Sequence, residues 1–174
     1  MTDTTTQTPS SLGWTTVTTP DGPFTLLVDT DGTVYASGWT DDAEYLRGLV
    51  HPDLRPETLV ERAGGDAAAA VDAYYDGDLE APHRIPVRQR SGPFLQAAWA
   101  ALHDVPAGPP VTYSELAERA GNVAAVRAAA ACCAQNAAAL FVPCHRVIRS
   151  DGTLGGFRYG LDVKESLIER ETAA

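Results

Sequence analysis

Cys144 and His145 are the residues of this chain best suited to covalent chemistry. A thiol and an imidazole lie side by side in Phe141-Val142-Pro143-Cys144-His145-Arg146-Val147-Ile148. A thiolate attacks electrophilic carbon, and an imidazole can take the proton that must leave first. A free Cys with pKa ~8.5 is only a few per cent thiolate at pH 7, so a working nucleophile needs help. The apolar flanks read as a buried or half-buried strand. Pro143 lacks an N–H and fixes φ, so the ladder should break just before the thiol, leaving it at a strand end. Adjacent side chains of an extended segment face opposite ways, so contact between Cys144 and His145 needs irregular backbone or a bridging water. Alone, the dipeptide also fits a small buried hydrophobe. The segments around it carry the case.

Upstream, Thr112-Tyr113-Ser114-Glu115 is a capping box. It opens a helix over Tyr113 to Ala120, with Gly121 as its C′ residue. Asn122 can cap a second helix from Val123 to about Ala134. Two short helices joined by a tight glycine turn make a helix-turn-helix, or an ordinary helical hairpin. The second helix carries Arg127 as its only charge and is otherwise nearly all Ala and Cys. So little bulk allows close approach to another helix or to a shallow groove of DNA. Downstream, residues 151–160 form a turn-rich loop whose glycines permit close backbone approach to a ligand. A last helix over Asp162 to Glu171 puts Val163, Leu167 and Glu171 on one face. A partly buried Glu171 wants a partner, and His145 is available.

In the first half, Phe24–Val28 and Thr33–Trp39 flank Asp31-Gly32, a two-residue hairpin signal. Residues 13–39 read as strands, Asp41–Leu49 as a helix capped by Thr40, Asp66–Tyr75 as a second helix, and Arg84–Arg88 as a short strand. His51 and His83 stand without Cys or acid partners at ligand spacing, and no metal site is expected. A boundary falls near Arg90-Ser91-Gly92-Pro93. A helix follows from Phe94 to about Val105, and Pro106 to Pro110 stop it. Residues 1–12 are expected to form a disordered tail, 13–90 an N-terminal α/β domain, and 91–174 a second domain carrying the chemistry.

The chain has 174 residues and 44% hydrophobic content, enough for a packed core. No run reaches the ~18–20 apolar residues of a membrane span, and the start does not read as a secretory signal. Cys132 and Cys133 are adjacent and poor disulfide partners, and an odd cysteine count leaves a free thiol. A reducing cytoplasm fits. Net charge is −10, but residues 1–90 hold 6 basic and 15 acidic residues (−9) and residues 91–174 hold 7 and 8 (−1). Any DNA contact is therefore expected to be local rather than a broad electrostatic grip.

Taken together, these segments resemble the O6-alkylguanine-DNA alkyltransferase family, the methylated-DNA–protein-cysteine methyltransferases. The resemblance covers about residues 91 to 171. It rests on Pro143-Cys144-His145-Arg146-Val147, Val111-Thr112-Tyr113-Ser114-Glu115-Leu116-Ala117, Ala120-Gly121-Asn122, Gly92 to Gln96, and Gly155-Gly156-Phe157-Arg158-Tyr159-Gly160. It implies a mixed α/β fold: a small ribonuclease-H-like sheet domain, then a mostly helical domain with a winged-helix-like helix-turn-helix and the active-site Cys.

It also implies roles. Cys144 would accept the alkyl group, His145 would take the thiol proton through a water, and Glu171 would orient the His. Tyr113 would push the target phosphate and help rotate the nucleotide. Arg127 would fill the gap in the duplex, and Ala124, Ala128 and Ala131 would face the minor groove. Asn136, with Pro143 and Arg146, would support the site. Val147, Gly155, Gly156, Phe157 and Arg158 would bound the base pocket. The implied reaction is direct reversal of DNA damage: the alkyl group of O6-alkylguanine, and of O4-alkylthymine, passes irreversibly to Cys144 after base flipping. One molecule would act once, as a monomer on double-stranded DNA or cooperatively along it. Neither a metal nor an organic cofactor is expected.

Two departures stand out. Ala137-Ala138-Ala139 replaces a Pro-aliphatic-Pro pattern, which suggests a looser loop before the active strand, and Val123 replaces a Pro after Asn122. Two other readings remain open at this stage. One is a lesion-binding module that does not react, and the other is a helix-turn-helix regulator with a structural Cys.

Overall fold

A computed structural model of the protein describes residues 7–173. Four strands, β1 (Ser11–Thr19), β2 (Gly22–Val28), β3 (Val34–Gly38) and β4 (Thr58–Glu61), form a sheet in the order β3-β2-β1-β4. The first three are antiparallel neighbours, and β4 lies parallel to β1. Helices α1 (Ala43–Leu49) and α2 (Gly65–Tyr75) accompany the sheet. The second half contributes α3 (Pro93–His103), α4 (Tyr113–Arg119), α5 (Val126–Gln135) and α6 (Leu161–Thr172), with the short parallel strands β5 (Val111–Thr112) and β6 (Val147–Ile148). The fold is mixed α/β, a small sheet beside a mostly helical part.

Strands β2 and β3 are buried on both faces, so they read as apolar runs rather than alternations. One face (Phe24, Leu26, Val34) joins a core shared with α2 and the second half, including Trp99, Phe141 and Leu167. The other face (Leu27, Tyr35, Ala36) packs against Leu46 and Val50 around α1. A single apolar core therefore crosses the boundary near residue 91.

Several expectations need correction. The tail over 1–12 falls partly on residues 1–6, outside the described residues; from Ser11 the chain is already strand, and Leu12 is fully buried. The Asp31-Gly32 turn is not a two-residue loop. Asp29 Oδ1 accepts from Asp31 N and Thr33 N, and the register slips at Leu27/Val28, so 29–33 form a longer turn. The strand expected at Arg84–Arg88 is a single bridge between Val87 and Val34, preceded by a 3-10 turn over Ala81–Arg84. The first helix starts at Ala43 because Asp42, not Thr40, accepts from Tyr45 N. Strand β4 carries no clear apolar alternation that would mark it in the sequence.

The helix pair differs at one end. The capping box at Thr112 and Glu115 is formed, and α4 ends as expected, with Gly121 at φ 95° and Asn122 N–H donating to Ala117 O. Asn122, however, caps a turn: its Oδ1 accepts from Ala124 N, and α5 begins only at Val126. Ala124 thus precedes the helix it was expected to lie on.

Candidate active site

The segment carrying Cys144 is not a strand. Leu140 adopts φ 75°, Pro143 interrupts the backbone donors, and Cys144–Arg146 form a 3-10 turn; only Val147–Ile148 pair with β5. The irregular backbone turns the thiol and the imidazole away from the strict opposition of a strand. No direct hydrogen bond joins them.

The turn is held from behind. Asn136 Nδ2 donates to Val142 O at 2.8 Å, while Asn136 Oδ1 accepts from Ala138 N and from Gln89 Nε2 at 2.8 Å. Gln89 Oε1 in turn accepts from Ala137 N at 2.9 Å, a donor a proline at 137 would lack. Ser37 of β3 binds the same stretch, its N–H donating to Ala137 O and its hydroxyl to Ala139 O. The Ala137–Ala139 run is therefore buried and tied down, contrary to the looser loop expected from its composition.

On the far side of the turn lies a buried ionic group. His145 Nε2 sits 2.9 and 3.0 Å from the two Glu171 oxygens, and Arg146 Nε and Nη2 donate to Glu171 Oε1 at 2.9 and 2.6 Å. All three side chains are essentially inaccessible. Burial alone would raise the Glu171 carboxyl, but the charges and hydrogen bonds of His145 and Arg146 outweigh it and hold it at about 2. An ionised carboxylate accepts only, so His145 Nε2 carries the proton and, in the neutral ring, Nδ1 is the acceptor. That Nδ1 is buried and has no hydrogen-bond partner among the described residues. Arg146 also donates to Val105 O at 2.7 Å and stands 3.6 Å from Glu80. His83 has an acid partner after all: Nδ1 lies 2.7 Å from Glu80, three residues earlier on one turn.

In front, Cys144 lines a cavity of about 470 Å³ with Tyr113 of α4 and Ala130, Cys133 and Ala134 along α5. Cys144, itself only 7% exposed, therefore borders the cavity on the side of the helix pair. Gly155, Gly156, Phe157, Arg158 and Tyr159 line the same cavity. Val147 does not. It is fully buried, and its carbonyl accepts from Lys164 Nζ at 2.7 Å. Lys164 Nζ also donates to the carbonyls of Leu154 and Gly156, pinning the glycine loop to α6. Gly155, at φ 75°, lets that loop pass Tyr113: a Cβ there would meet the phenol oxygen at 2.7 Å.

Burial raises the Cys144 thiol to about 12, reinforced by Cys133 and opposed by Asn136, Lys164 and Arg158. The resting site thus holds a neutral thiol, not a preformed thiolate. Burial, with Cys133 and Cys144, likewise raises the Tyr113 phenol to about 12, so it stays a donor at neutral pH. Arg127 is exposed and makes no ion pair among the described residues; Ala128 and Ala131 share its side of α5, while Ala129 and Cys132 face inward.

A family model described as 6-O-methylguanine DNA methyltransferase, DNA binding domain, matches residues 93–173. The methylated-DNA–protein-cysteine methyltransferase of Methanosarcina acetivorans is 32% identical over 154 residues, 87% of this chain and 93% of that protein. The chain belongs to the methylated-DNA–protein-cysteine methyltransferase family. Within the wider set, the bifunctional transcriptional activator/DNA repair enzyme Ada of Escherichia coli is 45% identical over 92 residues, 53% of this chain but only 26% of Ada. The Mycobacterium tuberculosis OGT crystal structure in complex with DNA superposes with a TM-score of 0.73 at 27% identity, covering 91% of this chain and 92% of that one.

Sequence reasoning missed Lys164, Gln89 and Ser37. Lys164 left a signal: it is the only lysine in the chain, set on the apolar face of the last helix. Gln89 and Ser37 left none, because their partners lie 47 and 102 residues away.

Proposed function

We propose that this protein repairs alkylated DNA by direct reversal, moving the alkyl group of O6-alkylguanine, and of O4-alkylthymine, onto Cys144. The observation that carries the reading is the placement of Cys144. It lines a pocket beside the helix pair, and the turn that carries it also carries His145 and Arg146, which bind Glu171.

The O6 position of a stacked guanine is out of reach, so the nucleotide turns out of the duplex at a cost of a few kcal/mol, less for a poorly paired lesion. The exposed Arg127 compensates the vacated stack, and the small residues Ala128 and Ala131 let α5 approach the minor groove closely. Filling the pocket brings the alkyl carbon to the thiol. The thiol proton passes through a water to His145 Nδ1, and the Glu171 carboxylate stabilises the imidazolium that forms. Sulfur attacks the alkyl carbon, a carbon–sulfur bond forms, and the carbon–O6 bond breaks. The guanine leaves with a proton from the Tyr113 hydroxyl. The thioether does not hydrolyse, so each molecule acts once. The protein works as a monomer in the cytoplasm, with no metal or organic cofactor in the step. A lesion-binding module without reaction would have no use for a buried base and acid behind the thiol.

The test is stoichiometric. Mixed with excess duplex containing O6-methylguanine, the protein should remove one lesion per molecule and stop. Multiple turnover, or no loss of lesion, contradicts the reading.

A further inference from the structure

A second cavity, of about 320 Å³, lies beside the reaction pocket. Its walls come from the end of α1 and the loop after it, the segment 88–91, Trp99 of α3, and the C-terminal end of α5. Ala134 and Arg158 line both cavities, so they form the partition between them.

The charge of this hollow is at odds with the rest of the molecule. The chain carries 23 acidic and 13 basic residues, yet among the described residues no Asp or Glu lines the cavity, whereas Arg55, Arg88, Arg90 and Arg158 all do. Arg90 pairs with Asp53 at 3.0 Å, and both side chains are about half exposed. The other three make no ion pair among the described residues. Arg55 donates to the carbonyls of Gly48 and Val50, Arg88 only to the Tyr35 hydroxyl at 3.3 Å, and Arg158 to Tyr45 and Ala134 O. Elsewhere Arg47, Arg84 and Arg146 hold carboxylates, while the other arginines outside the cavity make no ion pair among the described residues; what sets the hollow apart is that four guanidinium groups gather in one place. Arg55 and Arg88 are half-buried and Arg90 and Arg158 exposed; gathered guanidinium groups repel one another, and an anion seated among them relieves that repulsion. Their planar forks match the oxygens of a phosphate.

We propose that this cavity binds a phosphate group, supplied by the backbone of the DNA strand whose base enters the reaction pocket. The strand is favoured as the source because the partition is shared: a base entering one cavity carries its neighbouring phosphates past Arg158. Part of that identification rests on the DNA reading given above. The site also communicates with the nucleophile. Gln89 lines the cavity and donates to Asn136, which holds Val142 O two residues before Cys144. A phosphate seated on Arg88 stiffens the lattice that fixes the thiol.

The experiment compares the full chain with an Arg88→Gln/Arg90→Gln variant, each also carrying Cys144→Ser to prevent reaction. Affinity for an O6-methylguanine duplex is read by fluorescence anisotropy across a salt series. The salt slope should flatten by about 0.9 for each phosphate that is no longer neutralised, with affinity reduced roughly tenfold at low salt. An Arg47→Gln/Arg84→Gln variant, with the same change in net charge, should keep the parent slope. Equal reductions in both variants, or none in either, overturn the proposal. Thermal melting without DNA provides the second arm, using inorganic phosphate and deoxyguanosine monophosphate as probes. A rise in Tm that disappears in Arg88→Gln/Arg90→Gln supports the phosphate chemistry independently of repair. That rise with an unchanged DNA salt slope assigns the cavity to a free phosphate and overturns the strand as source. Because neither arm reads methyl transfer, failure here and failure of the repair reading are separable.

Discussion

Glu171 Oε1 serves two residues at once, lying 2.9 Å from His145 Nε2 and 2.6 Å from Arg146 Nη2. The shared oxygen joins the last helix to the turn that carries the nucleophile. Arg146 neutralises the carboxylate, and in the proposed mechanism the same carboxylate orients and supports the His145 ring. Replacing Glu171 with Gln keeps the size but removes the carboxylate that Arg146 binds most closely, leaving only Glu80 at 3.6 Å as a counter-charge. A loss of about 3–5 kcal/mol in unfolding free energy is expected from urea titration. Single-turnover methyl transfer should slow at least tenfold in the molecules that remain folded. Unchanged stability would show that the buried pair contributes nothing.

Acid should unfold the protein in two overlapping windows. The folded pKa of His83 is lowered from 6.5 to about 4, by burial first and Arg146 second. The unfolded state therefore binds more protons between those values, and stability falls as pH drops from about 6.5 to 4. Glu171, lowered from 4.5 to about 2, contributes stability that is present above 4.5 and lost as pH falls toward 2. Each window corresponds to roughly 3 kcal/mol. Urea midpoints measured from pH 7 to pH 3 should fall throughout. His83→Asn should flatten the upper window and Glu171→Gln the lower; a pH-independent midpoint in the parent contradicts both assignments.

Gly38 should be intolerant of even one methyl group. A Cβ there would lie 2.0 Å from the ring and hydroxyl of Tyr159, which is held between Trp39 and Phe157 and donates to Ser37 O. Gly38→Ala should cost about 1–3 kcal/mol through overpacking and displace Tyr159 from the wall of the reaction pocket. Adding Tyr159→Ala should restore part of the stability. Independent, additive effects of the two substitutions would refute the contact.

Lys164→Met keeps the stem and removes three donors from the carbonyls of Val147, Leu154 and Gly156. The expected cost is about 2–4 kcal/mol, with faster hydrogen exchange confined to the glycine loop and β6. Exchange unchanged in that loop would mean the lysine is not its anchor.

Arg127→Ala should weaken repair of duplex more than of single strands, where turning the base out is cheap. Equal losses on both substrates would remove the reason for assigning the gap in the stack to this side chain.

The C-terminal half was the more legible part. The capping box, the Gly121 terminator and the four-residue spacing of Val163, Leu167 and Glu171 are local signals, and local chemistry suffices to form what they describe. Errors arose where distant partners decide. The apolar run around Cys144 resembles a strand, but Asn136, Ser37 and Gln89 hold it as irregular backbone instead. The alanine run at 137–139 resembles a loose loop, yet its N–H groups at 137 and 138 donate to Gln89 and Asn136, and its carbonyls at 137 and 139 accept from Ser37. The thiol's own state could not be read either, because burial, which the motif does not encode, sets it at about 12.

Intact mass spectrometry after mixing with an O6-methylguanine duplex is the most direct measurement. The full chain should gain the mass of one methyl group, located on the Cys144 peptide, and Cys144→Ala should gain none. An unmodified chain, or a methyl group on Cys132 or Cys133, would contradict transfer to Cys144.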